Sequence, residues 1–145
     1  MQKINIKPLS INEVLIELPF RFRYGVRKPK WAHFAPSLNK LLIMHFRTRM
    51  LIKEKLALQF LTLGKYKGEP FKKPVVVFKR YSVGTQLDNE NLVASFKFIG
   101  DQIVNSGYYS DDSIDILTSE NFKAIGIRVK TWEEIKITIS ISEGN

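Results

Sequence analysis

The feature that most restricts this chain is a change of period between residues 74 and 106. The run PVVVFKRYS, starting at Pro74, is β-branched in the manner of a buried strand. Shortly after it the apolar positions become Leu92, Phe96, Ile99 and Ile103, spaced 4, 3 and 4. That spacing puts all four on one face of a helix. A helix with one apolar face that follows a strand must bury the face on the sheet the strand joins. Asp88 stands where an N-cap belongs, and Asn105, Ser106 and Gly107 close the helical stretch 89–106.

The rest of the chain extends this unit. Residues 122–130 and 134–142 read as two more strands, the second with Ile135, Ile137, Ile139 and Ile141 in strict alternation, and Thr131-Trp132-Glu133 reads as their hairpin link. Upstream, 13–23 (EVLIELPFRFR) begins with alternation and reads as a strand that Pro19 sends to an edge or a bend. Residues 24–38, with Gly25, Pro29 and Pro36, read as a long basic loop. From 39 to 63 a helix is expected, with Leu42, Phe46, Leu56, Phe60 and Leu63 on one face and Gly64 closing it. The order is β-α-β-α-β-β, an α/β (mixed α+β) fold with helices packed on a mixed sheet.

The 145 residues suit one domain spanning 1–145, large enough to bury roughly two-thirds of its unfolded surface. Cysteine is absent, which excludes a disulfide framework, a thiolate nucleophile and a Cys-based zinc site. The N-terminal stretch lacks the pattern of a signal peptide, and no apolar run approaches the ~18 residues of a membrane span. A soluble cytoplasmic protein is expected. No Gly-rich phosphate loop is present, so no nucleotide cofactor is expected.

The net charge of +9 is unevenly spread. Residues 1–80 hold 18 basic and 4 acidic side chains, and residues 81–145 hold 5 basic and 10 acidic. A surface this basic attracts polyanions, and counterion release makes nucleic acid the default partner. Arg27, Lys28, Lys30, Lys40, Arg47, Arg49, Lys65, Lys67, Lys72 and Lys73 are the candidate phosphate contacts. Loop aromatics such as Trp31, Phe34, Tyr66 and Phe71 suit either base stacking or, more commonly, capping of the core.

The acidic half needs another role. Asp88 and Glu90 flank the start of the 89–106 helix, and Asp111 and Asp112 follow its end, before the short apolar run 114–117. Brought together, these carboxylates would repel one another unless a hard cation lay between them. An all-oxygen set suits Mg²⁺ or Mn²⁺. Each also has a plainer use: Asp88 as a cap, Glu90 against the helix dipole, and Asp111 and Asp112 as solvated turn residues. Lys97, seven positions after Glu90, would lie on nearly the same helix face and could meet a phosphate or pair with Asp101.

The stretch DNENLVASFKFIGDQIVNSGYYSDD, residues 88–112, resembles the signature of the RusA family of Holliday junction resolvases. The match runs through Asp88, Glu90, Asn91, Leu92, Lys97, Asp101, Gly107, Asp111 and Asp112. Pro36-Ser37-Leu38-Asn39 is similar to that family's early Pro-Ser-x-Asn segment. The resemblance implies a dimeric α/β nuclease that cuts four-way DNA junctions with Mg²⁺. It implies Asp88, Glu90 and Asp112 as metal ligands, Asp111 as a possible fourth, and Lys97 as the phosphate-side cation. Two positions depart from the pattern: Glu90 stands where Asp is usual, and Lys97 comes three residues later than in the best-known form. A C₂ homodimer would supply the paired nicks that resolution of a junction needs. The alternative is a non-catalytic basic nucleic-acid-binding module, and a third reading is a structural subunit whose acidic face meets a basic protein.

Overall fold

In a computed structural model, residues 4–10, 13–110 and 120–144 are described. Strands β1 (Asn5–Ser10) and β2 (Glu13–Leu18) form an antiparallel pair at one side of a five-stranded sheet. The short strands β3 (Arg21–Tyr24) and β4 (Lys30–His33) form a separate two-stranded sheet. Helices α1 (Leu38–Ile43) and α2 (Phe46–Leu63) follow, then β5 (Pro74–Val83), α3 (Asn89–Ala94), α4 (Lys97–Asn105), β6 (Phe122–Val129) and β7 (Lys136–Glu143). The strand order is β1-β2-β7-β5-β6, with β6 parallel to β5 and every other pairing antiparallel.

One face of the sheet is built in rows. Val14, Ile141 and Val76 align across β2, β7 and β5, and so do Ile16, Ile139 and Phe78. All six are buried, as alternation on a one-faced sheet requires. The third row is Leu18, Ile137 and Arg80, so an arginine occupies a core position at the far end of β5. On the neighbouring β6 the same rows continue as Phe122, Ala124 and Gly126, tapering toward that end. The taper makes room for α3 and its leading turn: a Cβ at Gly126 would meet Gln86 Oε1 at 3.0 Å and Leu92 Cδ2 at 3.8 Å.

The helices cover this face. Phe96 sits between Phe78 and Phe122, with ring centroids 5.1 and 5.0 Å away. Leu92, Phe96, Ile99 and Ile103 are all buried, as their spacing predicts. The helical stretch is nonetheless in two pieces. The Ser95 hydroxyl donates to the Leu92 carbonyl at 2.6 Å and Phe96 N–H reaches back only to Val93, which tightens one turn. Glu90 and Lys97 therefore belong to successive helices, and the two-turn, same-face relation expected of one continuous helix does not run between them.

Four further expectations are corrected. The 24–38 stretch is not all loop, because 30–33 pairs with 21–24 as β4. Pro19 does bend the chain, and 13–23 splits into β2 and β3 in different sheets. The 39–63 helix is broken at Met44 and His45, both in extended conformation, with His45 Nδ1 capping α2 by accepting from Arg47 N–H at 3.1 Å. Leu42 and Phe46 point to solvent at 70% and 71% exposure, while Leu56 and Phe60 are buried. Finally, β6 and β7 are not a hairpin: both pair with β5, one on each side. Their 131–135 connection crosses the end of β5, and Glu134 Oε2 accepts from Lys130 and Thr131 N–H at 3.0 and 3.3 Å to hold it. The alternation of Ile137, Ile139 and Ile141 reports burial on one face and carries no information about which strand is the neighbour. The apolar run at 114–117 lies outside the described residues. No described helix is long and apolar enough to cross a membrane.

Candidate nucleic-acid interface and carboxylate site

The chain leaves β5 through a turn organised by Gln86. Its Nε2 donates to the carbonyls of Ser82 and Gly84 at 3.2 and 3.1 Å, and its Oε1 accepts from the Ser82 hydroxyl at 3.2 Å. Gly84 supplies the positive φ of 85° that the reversal needs. The turn delivers Asp88 to the carboxyl end of β5, the end at which open α/β sheets bind ligands.

Asp88 is the N-cap of α3. Its Oδ1 accepts from the N–H and the Nδ2 of Asn91 at 2.9 and 3.1 Å. These bonds to the ionised form lower its pKa, so the carboxylate is charged at neutral pH. Asn91 Oδ1 in turn accepts from Asn39 N–H at 3.2 Å, across the contact between α1 and α3. The two segments singled out in the sequence, 36–39 and 88–92, thus meet in space. Glu90 is exposed one position into α3, and Lys97 is exposed at the start of α4.

Asp111 and Asp112 lie outside the described residues. Among the described residues no group of three or more His, Asp or Glu side chains is gathered. The described flanks set a condition on convergence. α3 and α4, of six and nine residues, rise about 9 and 14 Å along their own axes, and together they separate Asp88 from Gly107. Asp112 can share an ion with Asp88 only if the chain after Gly107 doubles back along α4. Tyr109 lies on that route: burial first, and then the charge of Asp101 on α4, raise its pKa.

The basic candidates fall into groups. Arg27, Lys28 and Lys30 are exposed on the β3–β4 hairpin, and Lys40 is exposed on α1, toward the carboxyl end of β5. Lys65 and Lys67 lie on the loop that Tyr66 N–H ties to the Ser106 carbonyl at 2.9 Å, at the opposite end of α4. Lys72 and Lys73 precede β5 there, their N–H groups held by the Glu143 carboxylate at 2.9 and 2.7 Å. Arg47 is exposed on the first turn of α2. Arg49 is turned inward, with Nη2 donating to the Leu41 carbonyl that closes α1.

The loop aromatics divide in the same way. Phe34 and Phe71 are buried, and Tyr66 stacks on Tyr108 and Phe71 with centroids 4.6 and 5.9 Å apart, so these three cap the core. Trp31 stays about half exposed. The Arg21 guanidinium lies 3.8 Å from its ring centroid and 4.6 Å from that of Trp132. Arg23 lies 5.3 Å from Trp31 on the same side. A concavity of about 580 Å³ opens beside this Trp-Arg-Trp group. Sequence reasoning missed Trp132, because a hairpin turn would have carried it away from Trp31. It also missed the core position of Arg80, whose signal was its phase within the β5 alternation.

The chain matches no family model, and no curated protein is similar to it.

Proposed function

We propose that the chain is a Mg²⁺- or Mn²⁺-dependent, structure-selective endodeoxyribonuclease that resolves four-way DNA junctions by paired nicks in recombination and repair. The observation that carries this reading is the chain of hydrogen bonds from Asn39 through Asn91 to Asp88. It joins the two segments of the RusA resemblance, which lie some fifty residues apart, at the carboxyl end of β5. In this reading Asp88 and Glu90, with Asp112 and Asp111, hold the metal ion. When bound, that ion supplies Lewis-acid polarisation of a phosphodiester and a water of lowered pKa.

The chain's own residues do the remaining work. Asn91 keeps Asp88 ionised and aimed, so the carboxylate is ready for a cation without rearrangement. Arg27, Lys28, Lys30 and Lys40 hold backbone phosphates by position rather than sequence. Trp31 and Trp132 offer ring faces to bases unstacked at the crossover. One chain makes one nick, and a C₂ homodimer aligns two. The exposed apolar stripe of Leu42, Ile43, Phe46, Met50 and Leu61 on α1 and α2 supports that assembly.

The test is cleavage of a synthetic four-way junction with Mg²⁺ or Mn²⁺. Symmetric nicks are expected. Asp88→Asn and Asp112→Asn should each lose on the order of a hundredfold or more in rate while binding the junction as tightly or more tightly. Intact junctions after incubation with folded wild-type protein would refute the enzyme. The second reading, a non-catalytic nucleic-acid module, is favoured by one fact: Asp88 already has a complete role as the cap of α3. Steeply salt-dependent junction binding without cleavage would establish it.

A further inference from the structure

Arg80 is 93% buried by its 7% exposure, on the face of the sheet where its row neighbours are Leu18 and Ile137. Its Nε donates to the Ala35 carbonyl at 3.2 Å, and its guanidinium lies 4.6 Å from the Phe20 ring centroid. These contacts fix the plane of the group. Among the described residues, none accepts a hydrogen bond from its two Nη groups. Burial lowers its pKa to about 10, no carboxylate among the described residues offsets that burial, and the group remains a cation at neutral pH. The side chain lines a cavity of about 170 Å³, and its Nη donors are not sealed from that space.

The cavity wall has a consistent character. Lys40, His33, Ser82, Thr85 and Trp132 line it with Arg80, and among the described residues no Asp or Glu takes part. Lys40 and Arg80 act on His33 strongly enough that, after burial, their charges are the main causes holding its pKa down to about 4. The volume is below the range for drug-sized ligands and several times the share of one water. Hydroxyls and fixed cations, with a planar fork presented on one side, suit a tetrahedral oxyanion. The turn that forms part of the wall, through Thr85 and Leu87, leads directly into Asp88.

We propose that this cavity seats one phosphate group of a DNA backbone, gripped by Arg80 and Lys40 with His33 as a third partner. The proposal rests on the nuclease reading only for the source of the phosphate, since the grip itself needs neither a metal ion nor Asp88. Seating a phosphate here would fix the strand beside the carboxylates at a set distance from the cut.

The test follows the imidazole resonances of the whole protein in EDTA at low salt while inorganic phosphate is added. His33 should shift saturably and gain a proton more readily, while His45, capping α2, should not respond. Lys40→Gln, an exposed change that leaves the fold intact, should weaken phosphate binding about tenfold, and Arg80→Met by about tenfold or more. Four-way junction DNA should then displace the phosphate from wild-type protein. A His33 signal indifferent to phosphate, or unaffected by Lys40→Gln, would overturn the site. Bound DNA that leaves the phosphate in place would overturn its assignment to the backbone and mark a free-phosphate site. Asp88→Asn protein should give the same titration as wild type, so an absent nuclease activity and an absent phosphate seat are separate results.

Discussion

The α4 and α2 helices lie against one another but use their apolar residues in opposite ways. The α3–α4 stretch turns Leu92, Phe96, Ile99 and Ile103 to the sheet and keeps Glu90, Lys97, Asp101 and Asn105 in water. The α2 helix buries Ile52, Leu56, Gln59 and Phe60, yet leaves Phe46, Met50, Leu58 and Leu61 exposed. At 100° per residue, Phe46, Met50 and Leu61 fall within about 60° of arc on the side away from the core. One helix spends its apolar surface inside the domain. The other carries a second apolar surface on its exposed side.

The largest effect that separates them belongs to the inner helix. Phe96→Ala removes the ring held between Phe78 and Phe122 and should cost about 3–5 kcal/mol, read as a lowered denaturant midpoint with unchanged slope. Gly100 is coupled to it: a Cβ there would meet the Phe96 ring at 3.0 Å. Gly100→Ala should therefore forfeit the usual helix-propensity gain of roughly 1 kcal/mol, and should recover it in a Phe96→Leu background. Full additivity of the two changes would show that the ring has room to move.

That contrast also explains which parts of the molecule were legible in the sequence. Where polarity and burial coincide, as on β5 and α3–α4, period alone located the core. Where an apolar residue faces solvent, as at Leu42 and Phe46, the same arithmetic assigned it to the wrong side. The break at Met44 and His45 carries no Pro or Gly, so it left no local mark. Strand neighbours were illegible for a different reason, since pairing of β5 with both β6 and β7 is a long-range choice that alternation does not encode. Of the site, the Asp88 cap was readable from local chemistry, while its link to Asn39 was not, since the family resemblance singled out the 36–39 segment without placing it against Asn91. The Arg80 cavity was hidden because an arginine in a strand reads as a surface residue until its row is known.

The two layers should also differ in their response to acid. His33, on β4 beside Lys40 of α1, is held neutral down to about pH 4 by burial, then by Lys40, Arg80 and Arg21, against an unfolded value near 6.5. Between those values the unfolded chain takes up a proton that the fold refuses, so stability rises with pH across that window and falls as pH drops from about 6.5 to 4. The loss should be on the order of 2 kcal/mol, allowing for the partial exposure of the ring. His33→Gln should flatten the curve of stability against pH in this window. A wild-type curve already flat there would mean that Lys40 and Arg80 do not act on the imidazole.

A smaller change tests the α3 end. Asp88→Ala removes the cap from Asn91 and should cost about 1 kcal/mol by thermal or denaturant unfolding. Asp88→Asn keeps a capping oxygen and should cost only a few tenths. On the nuclease proposal, junction cleavage should be lost in both variants, so stability and activity separate only in the second. Equal stability losses in the two would show that the charge of Asp88, rather than its hydrogen bond, serves the helix.

The smallest expected effect on folding is the most informative about α2. Phe46→Ser with Leu61→Ser deletes two large exposed side chains, 71% and 73% accessible, and should change monomer stability by no more than about 0.5 kcal/mol per site. The same pair on α4, at Ile99 and Ile103, would unfold the domain. If the α2 stripe joins two copies, sedimentation should show wild-type protein as a dimer and the double variant as a folded monomer. On the nuclease proposal, the monomer should still bind junction DNA through its basic hairpin, but it should nick one strand at a time rather than both together. A double variant that remains dimeric would place the copy-to-copy contact elsewhere and leave the outer face of α2 to a different partner.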